Sequence, residues 1–164
     1  MLKQQPKISS LSLVNNNFEI LSFDNLSLNC KKVEIQQNKV HLQLPGDYDE
    51  VKICNCTVLS LDKVYSAQID FSNSDLQQFN INNLRTDRLI IQHCNIDRLP
   101  NFEERVPIYI DASHNNIQSL DGIDFGIRTL ICQFNKIKSL KPLKARYMCK
   151  IDMKGNKISS LKYL

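Results

Sequence analysis

His93, Cys94 and His114 are the side chains of this chain whose types suit them best to chemistry. Imidazole nitrogen and thiolate sulfur are the usual protein ligands of zinc and related metals. Cys54-Asn55-Cys56 places two more sulfurs close together in sequence. That pair is weak as a metal motif, because no second cysteine pair follows at zinc spacing. No glycine-rich phosphate loop and no Gly-x-Ser-x-Gly elbow appears. Whether the histidines and Cys94 can act together depends on the elements that carry them, and those are specified by a repeat.

Leu130–Leu140 reads L-I-C-Q-F-N-K-I-K-S-L, and Ile151–Leu161 reads I-D-M-K-G-N-K-I-S-S-L. Both fit apolar-x-apolar-x-x-Asn-x-Ile-x-x-Leu. Ile110–Leu120 and Leu89–Leu99 fit the same frame, the latter with Cys94 at the Asn position. Earlier copies run through Leu11/Leu13/Phe18/Leu21, Val33/Ile35/Val40, Val51/Ile53/Val58/Leu61 and Ile69/Phe71/Leu76/Phe79. In the second copy Gln43 breaks the last apolar position, and Leu42 or Leu44 can substitute. The Asn-equivalent positions are Asn16, Asn38, Cys56, Ser74, Cys94, Asn115, Asn135 and Asn156, spaced by 18 to 22 residues. Near-constant register over the whole chain is the signature of a solenoid.

On these residues the chain resembles the leucine-rich repeat superfamily over essentially all of its length. Cys94-Asn95-Ile96-Asp97-Arg98-Leu99-Pro100 is similar to the short repeat of bacterial type III effectors, and Asn115–Asp124 resembles the phosphatase-regulator type. The resemblance implies an α/β-type solenoid: a right-handed coil of about eight repeats forming one domain over residues 1–164. It also implies a curved parallel β-sheet on the concave face and a convex side that is mostly irregular, extended or 3-10. The return path in each unit is too short for a long helix. Alternate strand residues face inward, and strands about 4.8 Å apart give a stack of roughly 38 Å. The Asn positions form a structural ladder, each bonding backbone groups that no strand satisfies. Cys56, Ser74 and Cys94 are small substitutes in that ladder. No single repeat buries its own core, so stability comes from neighbours.

The repeat settles the opening question. Cys94 faces inward while His93 and His114 face outward on adjacent coils, so the three do not share a metal; no metal and no cofactor is expected. The outward columns are mostly polar. Ile90, Asp111 and Ile131 fall in one column, His93, His114 and Phe134 in another, with Tyr109 at the margin. Apolar and aromatic side chains held on a rigid sheet are typical binding anchors. These seven residues are the expected partner-binding patch, and the histidines offer it sensitivity to pH.

Charge is uneven. Residues 128–164 carry ten Lys or Arg against one acid, Asp152, a net of +9 within a chain of +4. Such a segment is a solvated flank, as for Lys138, Lys141 and Lys144 on the return path, or a guide for an acidic partner. Nucleic acid is disfavoured because no aromatic platform accompanies the lysines. No apolar run approaches the length of a membrane span, and the polar start lacks a signal-peptide core. Of six cysteines, Cys30, Cys56, Cys94 and Cys132 fall at inward or ladder positions, which is use of the thiol as a small hydrophobe. A reducing, cytoplasmic setting is expected. Both ends look bare, so an end-to-end homodimer is one expectation. The functional expectation is a non-catalytic module that binds another protein, with no small-molecule substrate. The alternative is a regulatory subunit that inhibits or targets an enzyme such as a phosphatase, or the recognition part of a secreted effector.

Overall fold

A computed structural model of the chain describes residues 9–16, 21–22, 30–36, 39–43, 47–62, 64–76, 84–102, 106–121, 123, 126–141, 143 and 147–162. The ladder position Asn38, the apolar positions Phe18, Leu44 and Phe79, and Lys144 lie outside these residues. The described chain is a parallel-strand β-solenoid. Its eight-stranded sheet runs β1 (Ser10–Leu13), β3 (Lys32–Gln36), β5 (Asp47–Cys54), β7 (Tyr65–Asp70), β8 (Arg85–Ile90), β9 (Tyr109–Asp111), β10 (Thr129–Ile131) and β11 (Lys150–Asp152). Every pairing is parallel. The first apolar position of the repeat is in register throughout: Leu11, Val33, Val51, Ile69, Leu89, Ile110, Leu130 and Ile151 lie on one another in that order.

The inward side follows from two-residue alternation. Val33 and Ile35, Val51 and Ile53, Ile69 and Phe71, Leu89 and Ile91, Ile110 and Ala112, and Leu130 and Cys132 are all buried. The later apolar positions of each unit, such as Ile117, Leu120, Ile137 and Leu140, close the core from the other side. One contiguous apolar cluster runs from Cys30 to Leu143. Ile151 and Met153 in the last described coil are only partly covered.

One expectation about the far side needs correction, and another is made more specific. The α/β character is not what the described residues form: their named elements are all strands. In the first coils the far side takes the extended form among those expected, and its extended runs pair. A second parallel sheet forms from β2 (Leu21–Ser22), β4 (Lys39–Gln43) and β6 (Thr57–Asp62). The reason is local. After the ladder position these coils continue as K-V-H-L-Q and T-V-L-S-L-D, alternating and rich in strand formers. A register shift beside Val40 pairs Leu42 with Leu61, so Leu42 takes the position that Gln43 breaks.

The later coils instead turn. Ser119 Oγ accepts the Asp121 N–H at 3.1 Å, Ser139 Oγ that of Lys141 at 3.1 Å, and Ser160 Oγ that of Lys162 at 3.2 Å. Such hydroxyl–backbone bonds compete with a strand. Ile123 N–H and Leu143 N–H then close onto Leu120 O and Leu140 O. Between these coils the extended path is tied by a few bonds, Asn116 N–H to Ile96 O, Gln118 N–H to Asp97 O, Lys136 N–H to Ile117 O and Lys157 N–H to Ile137 O.

Candidate partner-binding surface

Three adjacent columns run along the stack where each coil leaves the main sheet, and the middle one carries the aromatic side chains. The backbone there must reverse within a residue. Asn15, Asn55, Asn73, His93, His114 and Phe134 all have positive φ, from 52° to 61°, and Gly155 completes the column at 74°. Asn and Gly adopt this left-handed region readily, and His less so. For a bulky side chain it is an outlier costing on the order of 1–3 kcal/mol. Phe134 is that outlier.

The left-handed turn aims these side chains away from the core and over one another. His93 and His114 stack with ring centroids 4.3 Å apart and planes 9° from parallel. His114 and Phe134 continue the stack at 4.6 Å and 22°. The rings therefore stand in the turns beyond β8, β9 and β10, not on the strands. Phe134 is 44% exposed, and its far side lies over Gly155. A Cβ at Gly155 would come within 2.5 Å of Phe134 Cδ1. Lys154 Nζ sits 5.8 Å from the Phe134 ring centre.

The ladder column holds the turn shut from within. Asn115 Nδ2 donates to Ile91 O of the preceding coil at 2.7 Å and to Ala112 O of its own at 3.0 Å. Its Oδ1 accepts the Cys94 and Ile96 N–H groups. Asn135 bonds Ala112 O and Cys132 O and accepts Ile117 N–H. Asn156 bonds Cys132 O and Met153 O and accepts Ile137 N–H. Ser74 does both tasks with one hydroxyl, donating to Ile53 O at 2.7 Å and accepting Cys56 N–H at 3.1 Å. Cys94 and Cys56 supply the donor half through sulfur: Cys94 S–H reaches Phe71 O at 3.1 Å, and Cys56 S–H reaches Ile35 O at 3.6 Å. Asn16, in the first coil, bonds only Val14 O among the described groups.

The donor role requires a protonated thiol, and burial supplies it. Desolvation pushes the Cys94 thiol up to about 12, from an ordinary 9.0. Burial does the same for Cys132 and Cys54, each also to about 12. All six cysteines are free, with Cys149 exposed.

The remaining expected site residues lie on the sheet face beside the ring column. Ile90 and Ile131 are half-buried, and they alternate with acids in the sequence of cross-strand partners Asp70, Ile90, Asp111, Ile131, Asp152. The alternation keeps like charges two strands apart, roughly 9.6 Å at the usual spacing. Asp111 is only 8% exposed. It accepts Gln92 Nε2 at 2.6 Å and Ser113 N–H at 3.1 Å, so its oxygens hold the turn together and are not open to orient a partner. Asp152 repeats the arrangement with Gln133 at 2.6 Å and Lys154 N–H at 3.2 Å. Those bonds, with the Gln133 amide first, hold the Asp152 carboxyl below its ordinary value. Tyr109 is half-buried under Arg88, whose guanidinium lies 3.5 Å from the ring centre.

The structure thus brings His93, His114 and Phe134 into one contact and leaves Ile90, Ile131 and Tyr109 beside them as separate, partly covered side chains. Sequence reasoning did not identify the left-handed turn as the device that aims the rings. The signal was present as Asn15, Asn55, Asn73 and Gly155, turn-forming residues at the same repeat position as the two histidines and Phe134. It also missed Gly155 as the residue that makes room for Phe134.

No helix among the described residues is long and apolar enough to cross a membrane. No protein-family model, no curated protein and no solved structure matches the chain. What the geometry defines is a repeat solenoid with a parallel sheet along one side and a stacked ring column at its margin.

Proposed function

We propose that this solenoid is of the leucine-rich repeat type and acts as a non-catalytic module that binds another protein at the ring column and the adjoining sheet face. The observation that carries the reading is Phe134. Every other described residue of its column is Asn, His or Gly, types suited to a left-handed turn. At this one position a bulky apolar ring takes that conformation and remains 44% exposed. Strain retained at a solvent-facing apolar side chain points to a use outside the fold. The half-buried Ile131 on β10 of the same coil extends the apolar contact. Fully covering Phe134 and Ile131 would contribute on the order of 1.5–3 kcal/mol each.

Binding is favoured over catalysis by where the polar groups spend their bonds. Asp111 and Asp152 are held by coil neighbours. The thiol ladder supports a reducing compartment such as the cytoplasm, because Cys56 and Cys94 serve the fold as S–H donors. The test is capture of the partner from the native host followed by a binding titration. Phe134→Ala with Ile131→Ala is expected to weaken binding at least about tenfold, a loss of 1.4 kcal/mol or more, with the thermal midpoint little changed. Undiminished binding by the double variant would remove the basis of this reading.

A further inference from the structure

The columns on either side of the rings change character along the stack. On the strand side the residues are Ser72, Gln92, Ser113, Gln133 and then Lys154. Beyond the buried ladder the next column is Asp75, Asn95, Asn116 and then Lys136 and Lys157. Asn116 Nδ2 bonds Asn95 Oδ1, a neutral rung. Lys136 and Lys157 replace those rungs with charge, on coils tied by the Lys157 N–H to Ile137 O bond. Lys136, Lys154 and Lys157 are exposed, and the ion pairs among the described residues lie elsewhere, at Lys32–Glu50 and Lys52–Glu50. Asp152, the acid of this segment, has its oxygens on Gln133 and on the Lys154 backbone N–H.

Resting on the reading of this surface as a protein-binding site, we infer that its partner presents an acidic segment, with Asp or Glu side chains on both sides of an apolar one. The apolar side chain meets the open edge of Phe134, and the carboxylates meet Lys154 on one flank and Lys136 and Lys157 on the other. Charge placed around an apolar contact steers association and fixes register. Nucleic acid fits the same lysines less well. One face of the Phe134 ring is covered by His114 and the other lies over Gly155, so Phe134, the ring beside these lysines, offers no free face for a base to stack on.

The test uses fluorescence anisotropy on the intact chain with three probes: a short peptide of Glu and Asp flanking one Leu-Phe pair, its Gln and Asn counterpart, and an oligothymidylate of equal length. The acidic peptide is expected to bind at least about tenfold tighter than either control. Lys136→Glu, Lys154→Glu and Lys157→Glu together should weaken it about tenfold or more, with a salt dependence that the variant loses. Reversal of Lys138 and Lys141, exposed on the return path, should leave it unchanged. The inference is overturned if the neutral peptide or the oligothymidylate binds as well, if both reversals weaken binding equally, or if the acidic peptide does not bind at millimolar concentration. If the captured host partner is lost on Phe134→Ala with Ile131→Ala but kept on the three-lysine reversal, the acidic segment is wrong and the protein-binding site stands. If neither variant affects that partner, both fail.

Discussion

Phe134 is the residue at which a role in the fold and the proposed role in a contact can be told apart. Replacing it with Asn restores the residue that the same position has at 15, 55 and 73. The left-handed strain is relieved, and the ring stack, worth about 0.5–1.5 kcal/mol, is lost. The two changes oppose each other, so Phe134→Asn should alter unfolding free energy by less than about 1 kcal/mol while partner binding falls. A urea titration measures the first quantity, and a large destabilisation would make the ring a structural element. Gly155→Ala should act differently. Its Cβ would meet Phe134 Cδ1 at 2.5 Å on a backbone at φ 74°, so it should destabilise by about 1–3 kcal/mol and also turn the ring away from its exposed position. A thermal midpoint equal to the parent would contradict that packing. The residues themselves were largely legible in the sequence, since His93, His114 and Phe134 share one repeat position. Their mutual contact was not, because it depends on a backbone conformation that the residue types only permit.

At the scale of the coil, the ladder decides stability. Asn135 lies between two coils and bonds backbone groups of its own coil and the one before it. Asn135→Ala should cost roughly 1–3 kcal/mol through backbone groups left unsatisfied. Asn156→Ala should cost less, because its coil is only partly covered in the described structure. Denaturation midpoints of the two variants test that order.

The thiols give a second prediction. Folding raises the pKa of Cys54, Cys94 and Cys132 from 9.0 to about 12, through burial first. A raised folded value means the folded state holds its protons more tightly. The stabilisation is therefore complete below pH 9.0 and is lost as pH climbs toward about 12. The urea midpoint should be flat from neutral pH to about 9 and then fall, with a shallower fall in Cys94→Ser with Cys132→Ala. A fall of the same slope in that variant would show that the thiols are not responsible.

The ladder was readable from spacing alone, down to the substitutes Cys56, Ser74 and Cys94. The far side was not. Val40, Leu42, Val58 and Leu61 read equally well as an irregular apolar return and as a second sheet. The residue types do not decide between them, since Ser60-Leu61-Asp62 belongs to strand β6 while Ser119-Leu120-Asp121, the same triplet at the same repeat position, turns.

Across the whole molecule, net charge and apolar exposure converge on the last coils. Residues 128–164 hold ten Lys or Arg and one acid, and the strained, exposed ring belongs to the same stretch. The register that the repeat set out is the register of the eight-stranded sheet, because a single slipped coil would turn its inward apolar pair to solvent. The proposed partner has no comparable trace in the sequence; its chemistry enters only through the side chains that would meet it. Photo-crosslinking in the native host tests the placement of that contact most directly. Benzoylphenylalanine is introduced at position 134 on the ring column, or at position 118, where Gln118 is exposed on the return path. The account predicts a covalent adduct with a protein from position 134 and none, or far less, from 118. An adduct from 118 with none from 134 would contradict it.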